Sequence, residues 1–156
     1  LELHHYHQHD DRHSITPLLQ TAPGLGPIRV AQLVPVVITP HRFRTARQFW
    51  AYCGFGIVMR TSSDWVKSNE GWARSQVQQT RGLSKNHNRT LKRIFKGAAT
   101  TVLIQGHGPL RDHYDAMLDA NTKPNLAKLT IARKIAAITL SMWKHKQEYD
   151  PNRSHT

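Results

Sequence analysis

Residues 86–103 read NHNRTLKRIFKGAATTVL, and the spacing within them decides the fold. Leu91, Ile94, Phe95, Ala98 and Val102 recur every three or four positions, which places them on one face of a helix. Arg89, Lys92, Arg93 and Lys96 recur with the same spacing on the opposite face. A helix of this kind needs an apolar partner on one side and leaves a line of cations on the other. The cations extend upstream through Arg81 and Lys85, and no carboxylate falls between Arg81 and Lys96. Asn86, His87 and Asn88 add hydrogen-bonding groups. A run of one sign suits the phosphates of a nucleic acid better than it suits a plain solvated face.

The whole chain has the same bias. Its 156 residues carry 22 Lys+Arg against 10 Asp+Glu, a net charge of +12. That surplus points to an anionic partner and says nothing about fold. The length suits one ordinary domain. No apolar run is long enough to span a bilayer: residues 125–143 are the most apolar and are broken by Lys128, Arg133 and Lys134. No signal-peptide pattern opens the chain, so a cytoplasmic protein with no membrane partner is expected. Cys53 is the single cysteine, which excludes an internal disulfide framework and a cysteine-rich zinc site. Between an aromatic residue and a glycine, it reads as a small core residue.

Four more helical patterns flank the basic stretch. LLQTAPGLGPIRVAQLVPVV (18–37) reads as a short apolar element, a turn through Pro23–Gly26 and a second helix starting at Pro27. This is the form of a helix-hairpin-helix, over about residues 18–38. In that motif Gly24 and Gly26 let backbone N–H groups approach a phosphate, Leu25 packs between the helices, and Arg29 adds charge. Thr45 caps ARQFWAYC, which Gly54 closes. PLRDHYDAMLDA (109–120) and PNLAKLTIARKIAAITLSMWKHKQ (124–147) supply two further helices, each opened by proline. In the last, Leu129, Ala132, Ile135, Ala136, Met142 and Trp143 are expected in the core. The fold class read from this is mainly α: a helix-hairpin-helix followed by a small helical bundle, with at most one short β-hairpin. The hairpin would join GIVMRTSS (56–63) and WARSQVQ (72–78) around a polar loop. The domain layout is a His-rich lead-in over 1–15, one domain over 16–151 and a tail over 152–156.

Candidate chemistry is sparse. Ser62 and Ser63 follow an apolar run, with Asp64 beside them and Arg60 and Lys67 near enough in sequence to hold a phosphate. No Gly-x-Ser-x-Gly elbow surrounds them, and local chemistry alone favours a polar turn. The histidines His4, His5, His7, His9 and His13 lack a fixed framework for a metal. Asp112, Asp115 and Asp119 share a helix face that reads as solvated. No metal or cofactor is expected on this chain.

The order of the segments adds what no single one supplies. LLQTAPGLGPIRVAQLV, HRFRTARQFWAYCGFGIV, TSSDW, QTRGLSKNHNRTLKRIFKGAATTVL and ARKIAAITLSMWKHKQEYDP follow one another. In that order they resemble the C-terminal transposase domain of a DEDD/serine insertion-sequence transposase family. That family is related to the pilin-gene inverting site-specific recombinases and includes bridge-RNA-guided recombinases. The resemblance runs from about Thr16 to Pro151, and SKNHNRTLKR (84–93) matches the family's Ser-Lys-x-x-Asn-x-x-Leu-x-Arg run.

The resemblance implies that Ser62, with Ser63 second, attacks a DNA phosphodiester and becomes linked to a DNA end. It implies DNA as partner, a structured guide RNA, and a homo-oligomer in the full-length protein. It also implies Mg2+, held by an N-terminal RNase H-like domain with four carboxylates. The chain opens on Leu1 and carries no such domain, so a fragment is expected that does not recombine DNA by itself. Many members follow the serine pair with Gly-Gly-Lys, where this chain has Asp64-Trp65-Val66. The competing expectation is a non-catalytic helix-hairpin-helix module that binds DNA or RNA.

Overall fold

Helices begin in this chain where a cap or a proline removes the competition for backbone hydrogen bonds. The computed structural model describes residues 15–61, 65–69, 71–74, 78–83 and 87–153. Helix α1 covers residues 15–20, and α2 runs Pro27–Val37 with proline at its first position. A single 3₁₀ turn at Pro40–Arg42 leads to α3, Ala46–Tyr52, capped by Thr45 Oγ1, which accepts from the Gln48 N–H at 3.3 Å. Helix α4 spans Arg89–Gln105 and ends on Gly106 in the left-handed region. Helices α5, Pro109–Asp119, and α6, Pro124–His145, both open on proline as expected.

α6 is the axis of the molecule. It packs against α3, α4, α5 and the 3₁₀ turn, and for a helix touched from so many directions the apolar residues must spread around it. Ile131, Ala132, Ile135, Ala136, Ile138, Leu140 and Met142 are all buried. Leu129 and Trp143, expected in the core, are only half-buried at its margin. Their places are taken by Ile131, Ile138 and Leu140, on faces that a one-sided pattern would leave to solvent. Thr139 is buried too, its hydroxyl donating to the Ile135 carbonyl at 2.7 Å. On the buried face of α4, Phe95 meets Phe49 edge-on with ring centroids 5.6 Å apart. Cys53 is fully buried, and desolvation raises its thiol pKa far above the usual range. It is a core residue, as read from the sequence.

The turn between α1 and α2 is pressed onto α4. Gly24 has φ +72°, and a Cβ built there would lie 2.4 Å from the Ala98 carbonyl oxygen. Glycine is needed twice over at this position, for the left-handed backbone and for the missing side chain. Gly26 has φ −83° and an added Cβ would meet nothing within 4 Å.

The extended part is larger than one short hairpin. Strands β1 (Ile57–Thr61) and β4 (Gln78–Leu83) form one antiparallel ladder, and β2 (Trp65–Ser68) and β3 (Gly71–Arg74) form another between them. The pairing expected from the sequence is corrected accordingly. Ile57–Thr61 pairs with Gln78–Leu83, and the supposed polar loop supplies β2. Trp65 and Val66 favour an extended backbone, and the amides of so long a loop need partners, which Gly71–Arg74 provides. An irregularity between Ile57 and Met59 sets three steps of β4 against two of β1.

Gly24→Ala is expected to destabilise the fold by more than about 1–2 kcal/mol from backbone strain alone, the overlap with Ala98 adding to it. Gly26→Ala should cost less than about 1 kcal/mol. Urea unfolding midpoints of the two variants check the difference.

Candidate nucleic-acid interface

Asn88 opens α4 and fixes where its cations point. Its side-chain oxygen accepts from the Leu91 N–H at 3.0 Å, and its own N–H donates to the Tyr52 carbonyl at 2.9 Å. The sequence suggested Asn88 as a nucleic-acid contact, whereas these bonds make it the helix cap and the tie to α3. With Leu91, Ile94, Phe95 and Ala98 buried, the helix has one rotation about its axis. Arg89, Lys92, Arg93 and Lys96 therefore form a stripe along the outer face. His87 lies at the head of this stripe with its ring over Gly54, where an added Cβ would come within 2.5 Å of it.

The stripe is one wall of an open groove of roughly 530 Å³ whose lining also includes His87, Thr100 and Lys128. Lys128 comes from α6 and has no counterpart in the sequence argument, where it was merely an interruption of an apolar run. A second groove of roughly 580 Å³ continues from it, sharing Lys92, Lys96 and Lys128. Its apolar part comes from Leu126 and Leu129 of α6 and from Ile57 and Leu83 at the root of the β ribbon. Among the described residues, no carboxylate lines either groove. Among the described residues, the side chains of Arg89, Lys92, Arg93, Lys96 and Lys128 make no ion pair or hydrogen bond. Five cations held together with no counter-charge among the described residues repel one another, and an external polyanion relieves that repulsion.

Other cations serve the fold. Arg29 was expected to add charge to the turn. Its guanidinium instead donates to the Gly24 carbonyl at 2.7 Å and to Thr101 Oγ1 at 3.0 Å, clamping the turn to α4. Leu25 is buried beneath it. Arg133 donates to the Phe55 carbonyl through two nitrogens at 3.0 and 2.6 Å, and burial lowers its pKa. It pins the chain just before the ribbon, helped by the Trp50 indole N–H, which donates to the Arg133 carbonyl at 2.8 Å. Arg111 pairs with Asp115 at 2.8 Å, so the acidic face of α5 is partly neutralised from within.

The remaining candidates divide between the ribbon and the undescribed residues. Arg60 stands in β1 opposite Gln79, and Arg81 lies in β4 within the irregular step. Ser62, Ser63 and Lys85 lie outside the described residues. Among the described residues, no three His, Cys, Asp or Glu side chains come together as a metal site, and no helix is long and apolar enough to cross a membrane.

The two kinds of arginine should separate in a stability measurement. Arg29→Met is expected to cost about 1–3 kcal/mol because it leaves a carbonyl and a hydroxyl without their charged donor. Arg93→Met should change stability by less than about 0.5 kcal/mol. Chemical unfolding of both variants tests this.

Comparison with known proteins gives this arrangement a context. The chain is 25% identical over 142 residues to the insertion element IS116 uncharacterized 44.8 kDa protein of Streptomyces clavuligerus. That alignment covers 91% of this chain but 32% of the relative, so the chain spans about a third of the length of the curated relative it matches. Residues 16–115, from the start of α1 well into α5, match the family described as Transposase IS116/IS110/IS902. The chain belongs to the transposase IS116/IS110/IS902 family.

Proposed function

We propose that this chain is the DNA-holding, serine-bearing part of an insertion-element transposase. The observation that carries the reading is the uncompensated cationic groove between α4 and α6 in a chain of that family. Arg89, Lys92, Arg93, Lys96 and Lys128 hold the sugar–phosphate backbone, and their charge gives affinity without sequence preference. The first N–H groups of α2 have no side-chain cap and serve as a second phosphate contact in the manner of a helix-hairpin-helix.

In this reading Ser62 is the nucleophile and Ser63 its alternate. The serine oxygen attacks a DNA phosphodiester, the bond from phosphorus to one strand end breaks, and the released end leaves as a hydroxyl carrying a proton. Arg60, one residue before Thr61 at the end of β1, neutralises charge on the attacked phosphate. The DEDD subtype brings Mg2+, and the described residues offer no ligand set that fits it. A structured guide RNA and homo-oligomeric assembly belong to the same proposal.

Binding should weaken steeply with salt. Arg89→Ala/Lys92→Ala/Arg93→Ala is expected to lower the slope of log K against log salt by about 2–3, and Lys128→Ala to lower it by about 1. A salt-series titration with duplex DNA measures both. Unchanged slopes would show that the groove does not hold phosphates.

Ser62→Ala should leave DNA affinity as it is. The purified chain, given Mg2+ and insertion-element ends, should bind them and leave the strands intact. Strand cleavage or joining by this chain alone would overturn the assignment of the metal chemistry to residues outside it.

A further inference from the structure

The inner ladder of the ribbon has a composition that the groove does not explain. Trp65 pairs with Arg74 and Lys67 with Trp72. Residues directly opposite each other share a face, as do residues two apart on one strand. The register therefore puts Trp65, Lys67, Trp72 and Arg74 together on one face of the ladder. Val66, Ser68, Gly71 and Ala73 take the other. Trp72 is 66% exposed, a large apolar ring left in water near the point where the ribbon turns back.

Two tryptophans and two basic residues at register positions of one face of a two-stranded ribbon, with Trp72 exposed, match the composition that an unpaired nucleic-acid strand needs. Indole rings offer flat surfaces on which bases stack whatever their identity, and Lys and Arg meet the phosphates between them. Duplex DNA hides its base faces and gives the indoles little to hold. The ribbon also starts beside the cationic groove, since Ile57 and Leu83 at its root line the same cavity as Lys92 and Lys96.

We propose that the Trp65/Lys67/Trp72/Arg74 face is a stacking platform for the unpaired bases of an opened DNA strand, next to duplex held on α4 and α6. It rests on the DNA-holding role of the groove and adds a different ligand class at a different place. Where strands part at a DNA end, bases are exposed, and a platform of this kind would hold them.

Tryptophan fluorescence of the whole chain, titrated with a twelve-nucleotide thymidine strand and with blunt duplex of equal length, tests it. The single strand should quench the wild-type signal. Trp72→Ala should lose on the order of ten-fold in single-strand affinity and most of the quenching, while its duplex affinity stays unchanged. Trp72→Phe keeps an aromatic face and should recover most of the lost affinity. Single-strand affinity that is equal in wild type, Trp72→Ala and Trp72→Phe would overturn the platform while leaving the groove intact. Failure of wild type to bind duplex would instead remove the groove. A matched uridine ribonucleotide strand bound ten-fold tighter through Trp72 would overturn the assignment to DNA. Thermal unfolding of Trp72→Ala distinguishes lost stacking from a lost ribbon, because a merely structural tryptophan would lower the melting temperature and leave the fluorescence response of the remaining fold unchanged.

Discussion

The packing of α4 on α6 is the constraint from which the rest follows. Leu91, Ile94, Phe95 and Ala98 are buried, and each apolar side chain removed from water stabilises the pair by roughly 1.5–3 kcal/mol when large. That burial sets the rotation of α4 and with it the direction of Arg89, Lys92, Arg93 and Lys96. The cations need no hydrogen bonds of their own to be placed. They are carried to the surface by the apolar residues between them, and they stay available to a ligand.

Around this pair the chain uses backbone carbonyls as fixing points for arginine and tryptophan. Arg29 holds the turn between α1 and α2 through the Gly24 carbonyl. Arg133 and Trp50 hold the entry to the ribbon through the Phe55 and Arg133 carbonyls. Arg42 donates to the Val36 and Val37 carbonyls at the end of α2 while its guanidinium lies 5.3 Å from the centre of the Tyr52 ring. The arginine bonds among these are charge-assisted and so stronger than neutral ones. They consume cations that a count of net charge would assign to nucleic acid. The basic surface is thus smaller than +12 suggests, and more concentrated.

How much of this was legible beforehand differs from element to element. The helices α2, α3, α5 and α6 carry local signals: the Thr45 cap, prolines at 27, 109 and 124, and the glycine at 54. Caps and prolines act within one turn, so one sequence is enough to read them. The ribbon was half legible. Its outer runs looked extended, but which strand faced which was misread, because pairing depends on partners some twenty residues away and the alternation of polar and apolar residues is weak. Arg29 and Asn88 were read as ligand contacts from residue type, and the fold employs them internally. Lys128 went unnoticed for the converse reason.

The sequence by itself determined the helical periods, the surplus of cations, the unbroken basic run from Arg81 to Lys96, and the resemblance that led to the family. Those are properties of spacing and composition, carried by neighbours along the chain. Only the tertiary structure decided which cations stand free. It brought Lys128 of α6 beside Lys92 of α4, turned Arg29 and Arg133 inward, and set Trp65, Lys67, Trp72 and Arg74 on one face. Each of those outcomes depends on helix crossing or strand register, which are fixed by contacts between residues distant in sequence, and no periodicity within one segment encodes them.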